Sequence, residues 1–419
     1  MRLVEKLRRI SAPAAEAPIS LEAEGAVPAE LPGELIESES GSYRRVRIDL
    51  PLDHVHGRFS LERLASTSLA RLAAIANDPE LIGLKARECI YFDTETTSLG
   101  GGVGTYVFLF GAGWFEKDCF RVEQYFLDNI TGERALLEAI NESFSRFKNV
   151  VSFHGKGFDA PRLGGRLLFH RMRPSFPPAH LDLCVLGRKL YRDAYENCRL
   201  QTFERNLVDY VRADDLPGAD CPRAFFDHLL GDSQRIPRVF EHNFLDVLTL
   251  PAVAAAFADE VEAPSHPVVL SNLGVHFESV GRDREARESY EQALRGLRNP
   301  NHALLGRTLE RLALLERRSG RHAESAELLL ERVKLSPHAF QPLEDLAKYY
   351  EHRARDLNAA VATAVDARSR ILTGKIRVDL AARERCLRAL DHRLARLHRL
   401  LGDAPEPSGA PQPPFHPRS

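Results

Sequence analysis

The feature that most constrains this 419-residue chain is a short apolar run, Cys89-Ile90-Tyr91-Phe92, that leads directly into Asp93-Thr94-Glu95. A short apolar run bounded by polar residues reads as a buried strand. Side chains alternate along a strand, so Asp93 and Glu95, two apart, point to one face. Two adjacent carboxylates repel each other unless a cation neutralises them. An isolated Asp-x-Glu is ordinarily a solvated strand end, so other parts of the chain must decide between the readings.

Two segments do so. In Phe153-His154-Gly155-Lys156-Gly157-Phe158-Asp159, a buried strand over 149–153 ends in a glycine-bracketed turn that delivers Asp159 to the start of a helix over 159–170. An N-cap role is the competing reading for Asp159. In His242-Asn243-Phe244-Leu245-Asp246, positions four apart share a helix face, so imidazole and carboxylate project together. A surface His–Asp pair is the alternative there. Hard divalent cations such as Mg²⁺ or Mn²⁺ prefer oxygen ligands, and a pair of them suits phosphodiester hydrolysis. A histidine near such a site has the pKa range to accept a proton at neutral pH. Lys156 in the turn offers a point charge to a phosphate, and Phe158 a ring for a terminal base. Asp182 and the pair His54 and His56 are weaker candidates. The glycines of 100–104 lack the lysine and helix start of a phosphate loop.

Around these motifs the chain predicts three antiparallel strands (89–92, 105–111 and 119–126), a helix capped by Thr131, the 149–153 strand, the 159–170 helix and a fifth strand over 181–185. That order is the order of a ribonuclease-H-like mixed five-stranded α/β sheet with flanking helices. Pro251 is expected to interrupt or restart the helix that carries His242 and Asp246. After a linker at 263–267, small and apolar residues recur at Leu273, Gly274, Gly281, Ala286 and Tyr290. They recur again at Leu312, Ala313, Gly320 and Leu329, and more loosely from Leu346 to Ala367. This is the spacing of tetratricopeptide helix pairs, all-α repeats whose small residues let helices approach. A last helix, about 379–401, caps them. The expected organisation is a disordered lead-in over 1–40, a catalytic unit over 41–262, helical repeats over 267–402 and a disordered Pro-rich tail over 403–419.

Charge divides along the same line. Residues 281–400 hold 25 Lys and Arg against 17 Asp and Glu, a net of +8, whereas residues 1–280 are net −9. A basic half suggests a polyanion partner, although solvated arginine-rich helices would give the same count. No apolar run approaches the roughly 18 residues of a membrane span. The six cysteines, at 89, 119, 184, 198, 221 and 386, form no Cys-x-x-Cys pair, which suits a reducing, cytoplasmic setting.

With FDTETT at 92–97, FHGKGFD at 153–159, LQTFE at 200–204, DDLPG at 214–218 and EHNFLDVLTL at 241–250, the chain resembles the DEDD-type exonucleases of the ribonuclease-H-like superfamily. It is closest in pattern to the YprB-type branch, which also carries C-terminal tetratricopeptide-like repeats. The resemblance covers residues 42–260 and extends to the repeats. It implies two metal ions, with Asp93 bridging them and Glu95 and Asp246 on the ion that holds the attacking water. Asp159 would serve the second ion, directly or through water, and His242 would be the general base. It further implies stepwise hydrolysis from a 3′ end, DNA in preference to RNA as substrate, a repair role, and a helicase or other protein bound through the repeats. Two departures stand out: His154 occupies a position usually held by Asn, and the spacing of His242 and Asp246 is that of the tyrosine subtype. An inactive nuclease-like scaffold and a structure-specific endonuclease are the alternatives.

Overall fold

The run Val107–Phe115 is buried at every position, which only the middle of a sheet covered on both faces can provide. The computed structural model describes residues 31–98, 104–297 and 302–402. The expected lead-in up to residue 30, residues 99–103 with three of the glycines, residues 298–301 and the tail from 403 lie outside them. The first unit begins with strands β1 (Glu34–Ser38) and β2 (Gly41–Pro51) and a hairpin, β3 (Val55–His56) and β4 (Phe59–Ser60). Helices α1 (Leu61–Ala65) and α2 (Ala70–Ala76) then lead into β5 (Cys89–Thr96), β6 (Val107–Phe115) and β7 (Cys119–Phe126). Next come α3 (Glu133–Ser145), β8 (Asn149–Ser152), α4 (Asp159–Phe169), β9 (Ala179–Asp182) and α5 (Leu183–Tyr191). The unit closes with α6 (Leu200–Phe203), α7 (Cys221–Leu229) and the long α8 (Ile236–Glu262).

The sheet has seven strands, in the order β1-β2-β7-β6-β5-β8-β9, where five were expected. β8 and β9 run parallel to β5; the other pairings are antiparallel. The extra strands are the alternating run from Ser42 and a short charged segment, Glu34–Ser38, within the expected lead-in. Such a strand is well suited to a sheet edge, where charge discourages further pairing. The expected fifth strand ends at Asp182, because that carboxylate accepts the Cys184 and Val185 amides and starts α5. Asn129, not Thr131, caps the turn ahead of α3.

Alternation divides the faces. Phe92 and Phe110 face Phe144 of α3, with ring centroids at 5.3 Å in both pairs. Asp93 and its cross-strand partner Gly111 face α8. Pro251 does not interrupt α8: residues 247–258 are all buried, and that packing offsets the hydrogen bond the proline cannot donate.

The second unit, which begins at residue 266, is helical in its described residues. It pairs α9 (Pro267–Ser279) with α10 (Asp283–Gly296), α11 (His302–Arg318) with α12 (His322–Leu335), and α13 (Gln341–Tyr349) with α14 (Leu357–Leu372). α15 (Leu380–Leu401), capped by Asp379, follows. Gly274 shows why the repeats need small residues, since a Cβ there would lie 2.4 Å from the Tyr290 ring. Many arginines of this basic unit are already paired. Glu278 takes Arg318 at 2.9 Å and Arg311 at 3.5 Å, and Glu351 takes both Arg393 and Arg396 at 2.5 Å.

Candidate metal centre

β5 presents Asp93 and Glu95 toward α8, which brings Asp246 up to meet them. One carboxylate oxygen from each of the three lies within 4.8 Å of the others. Gly111 makes this approach possible: a Cβ there would stand 2.1 Å from Asn243 Oδ1 and 3.0 Å from Val247 Cγ2. Asn243, fully buried, fixes the seam. Its Nδ2 donates to Asp93 Oδ2 at 3.1 Å, while its Oδ1 accepts from Gln124 Nε2 at 2.9 Å. Asp93 is thereby oriented from the strand beyond its neighbour.

The remaining partners come from the irregular segment before α7. Asp215 receives His242 Nδ1 at 2.9 and 3.0 Å. A carboxylate partner places the proton on Nδ1 and leaves the lone pair on Nε2. That nitrogen faces Asp246 Oδ2 at 3.5 Å and Glu95 Oε1 at 3.8 Å. Gly218 closes over it, with room for a Cβ only 3.3 Å from Nε2. Arg212, 4 % exposed, ties the segment together: it donates to Glu204 at 2.8 Å, to Asp215 at 3.2 Å and to Asp246 Oδ1 at 2.5 Å. Arginine therefore holds one oxygen of Asp246, and the other faces the cluster. Burial works against the Arg212 charge but is outweighed by Asp246 and Glu204, so its pKa rises.

The expected site residues are not all equally close. Asp159 is outside the trio. It is the first residue of α4, not its cap, and accepts a hydrogen bond from Thr94 Oγ1, which points to the opposite face of β5 from Asp93 and Glu95. Lys156 Nζ is paired with Asp78 at 3.0 Å. Phe158 is half-buried, with the Arg162 guanidinium 3.3 Å from its ring centre. Asp182 serves backbone, accepting from the His154 and Lys156 amides besides starting α5. His56 is buried against Thr249 Oγ1 at 3.0 Å, and burial pushes its pKa down to about 4. His154 adopts φ +68°, a left-handed conformation that Asn tolerates best and His tolerates better than most residues. An Asn would fit the same backbone.

The electrostatics favour a cation. Burial first, then Asp246, Glu95 and Asp159, holds the Asp93 carboxyl well above the usual carboxylate range. Burial and Asp246 do the same to Glu95, and burial pushes Asp159 up to about 6. A cluster that strains against its own charge, built from oxygen donors, fits a hard divalent ion. Arg212, Asp215, Asn243 and Cys221, the last with its sulfur within 4.8 Å of a Glu95 carboxylate oxygen, had no role assigned from sequence. Asp215 and Asn243 lie inside the motifs DDLPG and EHNFLDVLTL, which was the available signal.

Residues 90–258 match the RNase_H superfamily model, and residues 265–337 the tetratricopeptide repeat model. The Bacillus subtilis (strain 168) protein YprB is 27 % identical over 324 residues, covering 76 % of this chain and 78 % of that one. The chain thus carries an α/β region that matches the RNase_H superfamily, followed by a region that matches tetratricopeptide repeats. Among the described residues, no helix is long and apolar enough to cross a membrane.

Proposed function

We propose that residues 90–258 hydrolyse nucleic-acid phosphodiesters stepwise from a 3′ end, releasing nucleoside 5′-monophosphates. The observation that carries this reading is the meeting of Asp93, Glu95 and Asp246 within 4.8 Å beside a histidine whose outer nitrogen is held by Asp215. Asp93, Glu95 and Asp246 would hold divalent cations, Mg²⁺ or Mn²⁺, with Asp159 contributing through water from across β5. Bound there, such ions supply Lewis-acid activation of water and charge neutralisation at the departing oxygen. His242 contributes a proton acceptor at Nε2. Asp215 keeps the ring in that tautomer and stabilises the charge it acquires. Asn243 keeps Asp93 turned inward, and Arg212 keeps the Asp246 carboxylate from rotating. DNA as substrate, a repair role and a helicase partner follow from the family resemblance. The repeats offer the surface for a protein partner.

Arg212 on Asp246 Oδ1 is the observation that favours the scaffold alternative, because one carboxylate oxygen is already committed. The test uses purified protein with Mg²⁺ or Mn²⁺ and strands labelled at either end, with a chelator control. A ladder of mononucleotide steps from the 3′ end supports the proposal. Early internal fragments indicate an endonuclease, and no cleavage with either metal indicates the scaffold.

A further inference from the structure

We propose that Cys221, His242 and Glu95 supply three donors of a tetrahedral site for a soft divalent cation of the Zn²⁺ class, with water in the fourth position, overlapping the hard-ion site at Glu95 and excluding it. This rests on the nuclease reading only for its regulatory consequence. A Cys Sγ, a His nitrogen and a carboxylate oxygen from Cys221, His242 and Glu95 lie within 4.8 Å of one another, and all three residues are buried. Cys221 opens α7 and its sulfur lies within 4.8 Å of a Glu95 carboxylate oxygen on β5, so helix and strand both supply donors.

The spacing fits the ion. With Zn–N and Zn–O bonds of about 2.0–2.2 Å, neighbouring donors in a tetrahedron stand about 3.4 Å apart. His242 Nε2 lies 3.8 Å from Glu95 Oε1. Contraction by a few tenths of an ångström would therefore complete that edge. The sulfur distinguishes this set from a hard-ion site, since thiolate and imidazole select Zn²⁺ over Mg²⁺. The outer arrangement matches as well: a zinc-bound histidine typically donates its other N–H to a carboxylate, and Asp215 already receives Nδ1. His242 is over nine-tenths buried, and its Nε2 makes no hydrogen bond among the described residues.

Binding would release the Cys221 thiol proton to solvent. It would also withdraw Glu95 from the hard-ion site and Nε2 from proton transfer. A scarce soft ion would thus switch off hydrolysis supported by an abundant hard one.

The test titrates the metal-free full-length chain with Co²⁺, a spectroscopic stand-in for Zn²⁺. One equivalent should produce thiolate-to-cobalt charge-transfer absorption and tetrahedral visible bands, both lost on adding Zn²⁺. Cys221→Ser should abolish the charge-transfer band and Cys198→Ser should keep it; Cys221→Ala replaces the serine variant if that one does not fold. In parallel, Zn²⁺ should inhibit Mg²⁺-supported hydrolysis, with an inhibition constant at least about tenfold weaker in Cys221→Ser, judged against that variant's own uninhibited rate. No band in the wild type, or one that survives loss of Cys221, overturns the site even if hydrolysis is robust. A Cys221-dependent band in a protein that cleaves nothing supports the site and refutes the nuclease reading instead.

Discussion

Gly111→Ala is the sharpest way to ask whether the metal centre depends on how closely α8 approaches the sheet. The added Cβ would meet Asn243 Oδ1 at 2.1 Å, against about 3.5 Å for an ordinary contact, so roughly 1.4 Å must be recovered. Asn243 cannot swing aside without loss, because Gln124 Nε2 and Asp93 Oδ2 hold its two ends. Val247 Cγ2 at 3.0 Å blocks the neighbouring direction. The least costly response is a shift of α8 away from β6, which carries His242 and Asp246 with it. Overpacking of this kind costs about 1–3 kcal/mol. A displacement near 1 Å at a catalytic group costs about 100-fold in rate. Denaturant unfolding and initial rates of nucleotide release from an end-labelled strand would measure the two effects separately. Gly165→Ala on α4 is the control, since that position is exposed and a Cβ there would meet nothing within 4 Å. It should be neutral or gain about 0.5–1 kcal/mol. If Gly111→Ala kept the wild-type rate and stability, the close seam would not be what assembles the site.

Other perturbations test separate parts. Asp93→Asn should abolish hydrolysis and leave the metal-free protein at least as stable as wild type, because the amide no longer repels Glu95 and Asp246. Saturating Mg²⁺, worth about 2.7 kcal/mol at a hundred times Kd, should raise the melting temperature of wild type and not of this variant. An equal rise in both would remove Asp93 from the site. Arg212→Leu should destabilise by about 3–5 kcal/mol in urea unfolding, since Glu204 and Asp246 lose the charge that compensates their burial; a loss below 1 kcal/mol would show the ion network to be ornamental to folding. His180, bonded to Ser152 Oγ at 2.7 Å, is pushed down to about 4 by burial, below the ordinary value of about 6.5. The unfolded chain therefore takes up this proton first, so stability present above about pH 6.5 is lost as pH falls toward 4, by about 3 kcal/mol in full. His180→Gln should flatten that limb relative to wild type, and parallel pH curves for the two proteins would contradict it.

The parts of the site that were legible in the sequence are those fixed by local periodicity. A two-residue pleat puts Asp93 and Glu95 on one face and a four-residue helical step aligns His242 with Asp246, whatever the rest of the chain does. The positions of Arg212 and Asp215 have no such signature. They lie in an irregular stretch where no period relates one side chain to another, and only the folded loop shows that one pairs with Asp246 and the other with His242. Asp159 was read correctly as the start of a helix, but its relation to the cluster depends on strand faces: it bonds Thr94, which the same pleat directs away from Asp93. In the fold, Glu34–Ser38 escaped notice because this short edge strand, with Leu35 and Ile36 adjacent, shows no apolar alternation. Pro251 misled because its local cost is outweighed by burial along the whole helix, a tertiary effect that no window of sequence contains.

The most direct measurement is anomalous diffraction from crystals soaked in Mn²⁺. Manganese should be coordinated by Asp93, Glu95 and Asp246, with any second ion lying toward Asp159. Manganese density elsewhere, or none beside Asp93 at concentrations that support hydrolysis, would contradict it.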